Sequence, residues 1–362
     1  MSFFSKQRIL CAMSGGVDSS VAAALLKEQG FEVVGVFMKF WQPDFLNEEK
    51  SFQNKCCSVE SHDSAKRVAQ KLGIRLYTLN FKEKFKRQIV DDFFTQHRLG
   101  CTPNPCVVCN EKIKFGALLD KADAFGIDLI ATGHYVKNFK CQRFSKLKIA
   151  KDKKKDQSYF LYRLSCDQVE RSLFPLGDYT KNEVRSLAQK FGLSTANRRE
   201  SQEVCFVPDN NLFPFLKKFL KKDLKPGDIV TTRGKIVGRH EGLPLYTIGQ
   251  RKGIKIGGIG PFYVVEKDMK KNVLVVTDNS QDDGLYKFFF RIEKNNWICR
   301  EPKFPLRCKT KIRYLAPFAD AVVNEDSKGF FVQLKKRQRA VTSGQSAVFY
   351  KNDELLGGGI IT

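Results

Sequence analysis

Two stretches of this chain combine residue types that do chemistry. The first, Ser14-Gly15-Gly16-Val17-Asp18-Ser19-Ser20, lies between a short apolar run and a helix-like one. Paired glycines let a backbone turn tightly and come close to a ligand. Amide groups at the start of the next helix would face an anion with the favourable end of the helix dipole, and Ser14, Ser19 and Ser20 add hydroxyls. That is phosphate-binding chemistry, although no Gly-Lys-Ser/Thr follows as in a Walker A loop. The second stretch is Cys101-Thr-Pro-Asn-Pro-Cys106-Val-Val-Cys109-Asn110. Its prolines fix the backbone, and Cys-x-x-Cys brings two thiols within reach of one another. Half a zinc site, a dithiol redox pair, iron–sulfur ligands, or a nucleophile with a neighbouring thiol would all suit it. Zinc asks for four ligands, and only Cys56-Cys57 offers completion, so zinc is unfavoured. Cys205, in Ser201-Gln-Glu-Val-Cys-Phe-Val207, stands where the α/β pattern ends; taken alone it reads as a buried thiol. Cys11, Cys141, Cys166, Cys299 and Cys308 read as packing residues.

The elements that must position these residues follow from hydrophobic pattern. Strand-like runs at 8–13, 32–38, 74–79 and 127–131 alternate with helical spacing at 21–27, 64–72, 83–96 and 112–125. Such alternation predicts a parallel sheet covered on both faces. Ligands of such sheets bind at the carboxyl ends of the strands, which is where the Gly15-Gly16 turn falls. After about residue 210 long helical stretches give way to short β-branched runs separated by Gly and Pro, the pattern of small barrels or a sandwich. The expected division is 1–209, a small central domain at 210–280, and a β-barrel-like domain at 281–362. The lysine-rich piece 146–155 reads as a charged loop.

Composition narrows the class. A chain of 362 residues with 42% hydrophobic residues and 31 Phe can bury several cores, which excludes wholesale disorder. Lys and Arg number 63 against 39 Asp and Glu, a formal charge of +24 that suits a polyanionic partner, nucleic acid first. No signal peptide and no membrane-spanning run stand out. The chain reads as cytoplasmic, with reduced thiols. Any linked cysteine pair would then be catalytic, redox-active or metal-binding rather than structural.

The phosphate loop resembles the PP-loop of ATP pyrophosphatases, Ser-Gly-Gly-x-Asp-Ser. That resemblance implies ATP split between the α and β phosphates, with Asp18 helping to hold Mg2+. The ordered series SGGVDSS, GVFMKFW (35–41), CCS (56–58), TPNPCVVCN (102–110), ATGHY (131–135), KDQSYFLY (155–162), SQEVCFV, GQRKG (249–253) and GQSAVFY (344–350) extends the resemblance over nearly the whole chain. It is similar to the tRNA-uridine 2-sulfurtransferases, or tRNA 2-thiouridylases.

The resemblance implies adenylation of the 2-oxygen of a wobble uridine, then replacement by sulfur from a cysteine persulfide. Cys205 would carry that sulfur, and Cys109 would attack the persulfide or form a disulfide with Cys205. Ala12, Met13, Ser14, Gly15, Gly16, Val17, Asp18, Ser19, Met38 and Gly133 would contact ATP. Asn104, Pro105 and Cys106 would border the target base, and His134, Lys155, Asp156, Gln157, Arg313, Tyr314 and Gln345 would meet tRNA. A sulfur donor protein, either a cysteine desulfurase or a relay, is the implied partner. One position departs from the family: many members carry aspartate where this chain has Cys106. Cys106, Cys109 and Cys205 could instead ligate a [4Fe–4S] cluster with one iron open to sulfide.

Cations accompany this pattern. Lys153, Lys154 and Lys155 run into Tyr159, Phe160 and Tyr162, which suits phosphate contacts beside stacking on an extruded base. Lys217, Lys218, Lys221, Lys222 and Lys225 form a second group, and Lys335, Lys336, Arg337 and Arg339 a third. The rivals are a PP-loop synthetase acting on a small molecule, which needs no cysteine pair, and a non-catalytic RNA-binding protein whose cysteines hold metal.

Overall fold

A computed structural model describes residues 7–43, 58–141, 144–198, 204–208, 211–254, 256 and 261–362. Cys56, Cys57 and the Ser201-Gln202-Glu203 portion of the Cys205 motif lie outside the described residues.

The first part is the alternating fold that the pattern predicts. Its leading elements are β1 (Arg8–Ala12), α1 (Val17–Glu28), β2 (Glu32–Lys39), α2 (Val59–Leu72) and β3 (Arg75–Asn80). Two helical runs follow. In one, α3 (Lys82–Phe85) and α4 (Asp91–Arg98) are joined by a π turn, Lys86–Val90; in the other, α5 (Pro105–Cys109) and α6 (Leu118–Ala124) are joined by a π stretch, Asn110–Ala117. Then come β4 (Leu129–Ala131), β5 (Lys137–Cys141), β6 (Phe144–Lys148), α7 (Cys166–Glu170), β7 (Ser172–Leu173) and α8 (Lys181–Lys190). A parallel sheet in the order β3-β2-β1-β4-β7 forms the centre. Because side chains alternate along a strand, Ile9 and Cys11 face α1 and its alanines. Leu10 and Ala12 face the opposite layer, with Phe115, Leu118 and Ile127. Both faces are thereby buried, as parallel sheets require. Helix α2 is delimited by Ser58, whose hydroxyl accepts from the Ser61 amide, and by Gly73 in the left-handed region.

The middle part opens with α9 (Leu212–Phe219), a short helix in a region read as strands. Its Phe215 and Phe219 pack on Phe94 of α4, with ring centroids at 5.6 and 4.9 Å. Strands β8 (Gly227–Thr231), β9 (Ile236–His240), β10 (Tyr263–Asp268) and β11 (Val273–Thr277) form a sheet ordered β10-β11-β8-β9.

The last part contains β12 (Tyr286–Trp297), β13 (Leu306–Lys311), β14 (Ala319–Asp326), β15 (Gly329–Arg339), β16 (Ser346–Lys351) and β17 (Glu354–Ile361). They run antiparallel in the order β12-β15-β14-β13-β16-β17, and pairing of β12 with β17 closes six strands into a barrel. The β5–β6 hairpin, far upstream in the chain, extends that sheet by pairing β6 with β17. Lys146–Lys148 of the expected loop therefore belong to a strand. No helix among the described residues is long and apolar enough to cross a membrane.

One cysteine pair corrects the packing expectation. Cys166 of α7 and Cys299, just past β12, form a disulfide across 133 residues. The hairpin explains the meeting. It places β6 beside β17, whose other neighbours include β12, and Cys299 Sγ lies 3.7 Å from the Ser145 carbonyl of β6. Cys11 and Cys308 do serve packing, with thiols pushed up to about 12 by burial.

Candidate active site

The loop after β1 and the loop after β4 meet at the carboxyl edge of the sheet, on either side of its switch in strand order. Gly15 turns the first loop with φ +76°, and a Cβ there would lie 2.1 Å from the Ser61 carbonyl oxygen, so no larger residue fits against α2. The Gly15 carbonyl accepts from Ser64 Oγ at 3.0 Å and Arg198 Nη1 at 2.7 Å. Arg198 Nη2 also donates to Ser61 Oγ at 2.9 Å. Within the loop, the Ser14 amide donates to Ser19 Oγ at 3.1 Å, and Ser20 Oγ donates to the Gly16 carbonyl at 2.8 Å. Gly16 is the N-cap of α1 and has no side chain to cap it. The helix therefore begins with amides and a positive dipole end suited to an anion.

Gly133, from the loop after β4, sits against that first turn; a Cβ on it would lie 2.8 Å from the Ser19 amide nitrogen. Two residues on, Tyr135 donates its hydroxyl to Asp18 Oδ1 at 2.7 Å. Lys181 Nζ donates to both Asp18 oxygens, at 2.6 and 2.8 Å. A close-fitting glycine, a helix start without a side-chain cap and one half-buried carboxylate fit a polyphosphate with magnesium. That ion is commonly held by one or two carboxylates together with phosphate oxygens. Met13 is buried behind the loop, and Met38 is the last residue but one of β2, at the same sheet edge.

The thiol loop is held by all three parts of the molecule. The Thr102 amide donates to the Ser343 carbonyl and Gln345 Nε2 donates to the Thr102 carbonyl, each at 2.9 Å. Thr102 Oγ1 lies 3.2 Å from Thr247 Oγ1 of the middle part. Asn104 accepts from the Cys106 amide at 3.2 Å and caps α5, where Pro105 takes the first position. Cys109 is buried in a cluster with Phe85, Phe93 and Phe206, and Met38, Val108 and Cys205 pack on it. The fold thus brings Cys109 and Cys205 to one apolar cluster, with Cys106 outside it. All three are thiols. Among the described residues no three His, Cys, Asp or Glu side chains gather as metal ligands.

Of the residues expected to face tRNA, His134 and Asp156 are buried and Gln157 is half-buried. His134 is buried beside Phe115 and Phe174, with Nδ1 2.8 Å from Thr132 Oγ1. Burial, then the charge of Lys114, holds its pKa well below the ordinary imidazole range. Asp156, 2% exposed, accepts from the Ala150 and Ser158 amides and from Ser158 Oγ, and faces Lys311 of the barrel at 3.9 Å. Gln157 is bonded in both directions to the Tyr135 backbone, at 3.0 and 2.8 Å. Tyr159 and Tyr162 are fully buried, their hydroxyls bonded to Ser346, because the 3₁₀ turn Ser158–Leu161 carries them into the core. They are unavailable for base stacking.

Lys155 is half-buried and Lys153 and Lys154 are exposed. Phe160 is also half-buried, 4.4 Å from the Tyr314 ring. Exposed Arg313 lies 3.5 Å from the Arg339 carbonyl, and Arg339 stacks 5.0 Å over Tyr263. Arg313 and Arg339 thus supply cations where the barrel meets the middle part, and Arg251 and Lys252 of the middle part are exposed.

Sequence reasoning missed Arg198 and Lys181, which lie 183 and 163 positions from the loop residues they bind. Lys181 did carry a signal. It is the first residue of a helix already capped by Thr180 and Glu183, an electrostatically unfavourable place for a cation.

Family models match the chain in three blocks. They are described as a tRNA methyl transferase HUP domain over residues 7–209, a tRNA methyl transferase PRC-barrel domain over 214–278, and an aminomethyltransferase beta-barrel domain over 288–361. The tRNA-specific 2-thiouridylase MnmA of Symbiobacterium thermophilum is 44% identical, over 98% of this chain and 92% of that protein. A protein of the same name from Carboxydothermus hydrogenoformans is 45% identical, over 100% and 99%. That of Clostridium perfringens is 42% identical, over 98% of each.

Proposed function

The chain belongs to the tRNA-specific 2-thiouridylase family, and on that premise we propose that it thiolates the 2-position of the wobble uridine of tRNA at the expense of ATP. The observation that carries this reading is the shared apolar cluster of Cys109 and Cys205, reached by Met38 from the sheet edge where the phosphate loop opens. Methyl transfer, the wording of two of the domain descriptions, would leave both the phosphate loop and the paired thiols without a task.

The uridine 2-oxygen attacks the α-phosphorus, the bond to the β-phosphate oxygen breaks, and pyrophosphate leaves. The α1 amides and the hydroxyls of Ser14 and Ser19 bind phosphate oxygens, while Gly15, Gly16 and Gly133 allow the backbone to come close. Magnesium bound at Asp18 would neutralise charge on the pyrophosphate. Asn104, Pro105 and Cys106 border the extruded base, and the Arg313–Tyr314 seam and Lys155 meet the RNA backbone. His134, Asp156, Gln157 and Gln345 contribute by holding the neighbouring loops.

Cys205 arrives as a persulfide, charged by a donor protein. Cys109 thiolate attacks its inner sulfur, forms a Cys109–Cys205 disulfide and expels hydrosulfide. Hydrosulfide adds to C2, its proton goes to solvent, the C2–O bond breaks and AMP departs with that oxygen. A thiol reductant then restores both thiols. We assign this work to the cytoplasm.

Nucleoside mass spectrometry tests the reading. Unmodified tRNA, ATP, magnesium and a persulfide donor, incubated anaerobically with the protein, should yield 2-thiouridine at the wobble position with equal AMP and pyrophosphate. ATP cleavage without thiouridine, or cleavage indifferent to tRNA, would point to a small-molecule substrate.

A further inference from the structure

We propose that Cys166 and Cys299 form a thiol–disulfide exchange site, and that the state of this pair sets how firmly the segment behind Cys109 is held. The exchange stands on the surroundings of the pair alone; its effect on sulfur transfer rests on the reading above.

The link joins α7 of the first part to Cys299, two residues past β12, across 133 residues. The junction it crosses does not depend on it. Asn296 Nδ2 donates to the Tyr162 and Leu164 carbonyls at 2.7 and 3.0 Å, the Tyr159 hydroxyl donates to the Ser346 carbonyl at 2.9 Å, and β6 pairs with β17. Opening the link therefore leaves the barrel docked. Both cysteines are half-buried and have exposed neighbours in Ser165, Asp167 and Arg300, so a small dithiol can reach them. Each sulfur also has an acceptor at thiol distance. Glu170 Oε1 lies 3.9 Å from Cys166 Sγ, and the Ser145 carbonyl oxygen lies 3.7 Å from Cys299 Sγ. A disulfide has no proton to give, whereas two thiols do. The surroundings thus accommodate the opened pair as well as the linked one.

What the link controls follows from α7. Gln168 Nε2 of that helix donates to the Glu111 carbonyl at 3.0 Å, and Arg163, just before the helix, donates to Glu111 Oε1 at 3.1 Å. Asn110 Nδ2 donates to the Phe160 carbonyl at 3.2 Å. Asn110 and Glu111 directly follow Cys109, so α7 and its approach grip the chain just behind that thiol. With the pair linked, α7 is tied covalently to the barrel, which also holds Thr102 through Ser343 and Gln345. Both ends of α5 are then held against one body. With the pair open, the end behind Cys109 relies on hydrogen bonds alone.

In the exchange, the thiolate of a dithiol attacks one sulfur of the link. The S–S bond breaks, a mixed disulfide forms, and the other cysteine leaves as a thiolate that takes a proton. The second sulfur of the dithiol then attacks the mixed disulfide. It frees the remaining cysteine as a thiol and leaves the dithiol as its cyclic disulfide, so two electrons and two protons pass to the protein. An excess of a low-molecular-weight disulfide reverses the step and is itself reduced to two thiols.

The test opens the link in the whole protein with dithiothreitol, closes it with glutathione disulfide, and maps the thiols by blocking and mass spectrometry. Cys166 and Cys299 should open and close together without unfolding. Hydrogen exchange over residues 105–117 should quicken about tenfold in the opened protein, with residues 14–20 unchanged. Cys166→Ser and Cys299→Ser, which form no link, should match the opened wild type. Each should slow single-turnover thiouridine formation about fivefold and keep pyrophosphate release within about twofold of wild type. A link that yields to dithiothreitol only on unfolding would be structural. Hydrogen exchange over 105–117 that is indifferent to the link would disconnect the pair from Cys109. Either result overturns the proposal. A wild type that makes no thiouridine in either state would overturn the reading above, while the hydrogen-exchange comparison would still decide this inference.

Discussion

The phosphate loop and the thiol loop open on the same sheet, yet they are held in different ways. Residues 14–20 are fixed by contacts inside the first part of the chain: Ser61 and Ser64 of α2, Gly133 and Tyr135 after β4, Lys181 of α8, and Arg198. Residues 101–109, anchored in the first part by the Cys101 amide on the Gln96 carbonyl, are also fixed from outside, by Ser343 and Gln345 at the barrel and Thr247 in the middle part. Cys109 shares its cluster with Phe215, Leu243, Tyr246 and Val276 of the middle part. The phosphate loop is thus held within one α/β unit, whereas the thiol loop is held where three units meet. On the function proposed above, sulfur transfer should be lost without loss of ATP cleavage.

Replacing a thiol should show the largest separation. Cys109→Ala or Cys205→Ala should reduce thiouridine formation about a thousandfold or more. Single-turnover pyrophosphate release should stay within about twofold of wild type, since neither thiol takes part in that bond change. An equal fall in both rates would show that the halves are not separable. Gly15→Ala attacks the other side. Its Cβ would meet the Ser61 carbonyl oxygen at 2.1 Å, so α1 and α2 must part, at a cost of about 1–3 kcal/mol. Urea midpoints and ATP titration should fall together; an unchanged midpoint would mean the loop relaxes freely.

Acid gives a smaller effect. Burial holds the His97 imidazole down at about 4, and its Nδ1 lies 3.2 Å from the Pro244 carbonyl of the middle part. The unfolded chain takes up that proton near pH 6.5 and the folded chain does not. Stability is therefore lost as pH falls below 6.5, by on the order of 1 kcal/mol at pH 5.5 for this one group. His97→Phe should flatten that part of the pH–stability curve by the same amount. A curve unchanged by the substitution would place the imidazole in contact with solvent.

Local signals in the sequence were the reliable ones. The strand–turn–helix around Gly15 was legible because buried strands, paired glycines and an alanine-rich helix lie within about thirty residues of one another. The barrel was legible as short β-branched runs, although its closure through β12 and β17 left no local mark. What remained hidden was non-local. Lys181 and Arg198 reach the loop from the far end of the α/β unit, and Cys166 meets Cys299 only because the hairpin is carried into the barrel. Tyr159 and Tyr162 misled for a related reason: aromatic residues beside a lysine run have the composition of a stacking surface, and only the 3₁₀ turn reveals that they face the core.

The shared hairpin also bears on how the chain is made. Strands β5 and β6 leave the ribosome roughly two hundred residues before β17, which at about 5–20 residues per second is an interval of roughly 10 to 40 s. For that time β6 presents an edge with no strand to complete it. Exposed edges recruit other chains unless charge discourages them, and the hairpin carries Lys137, Lys140, Lys146 and Lys148. One of them, Lys146, later pairs with Glu354 of β17 at 2.8 Å. The same lysine can thus keep the nascent edge solitary and then help select the strand it was waiting for.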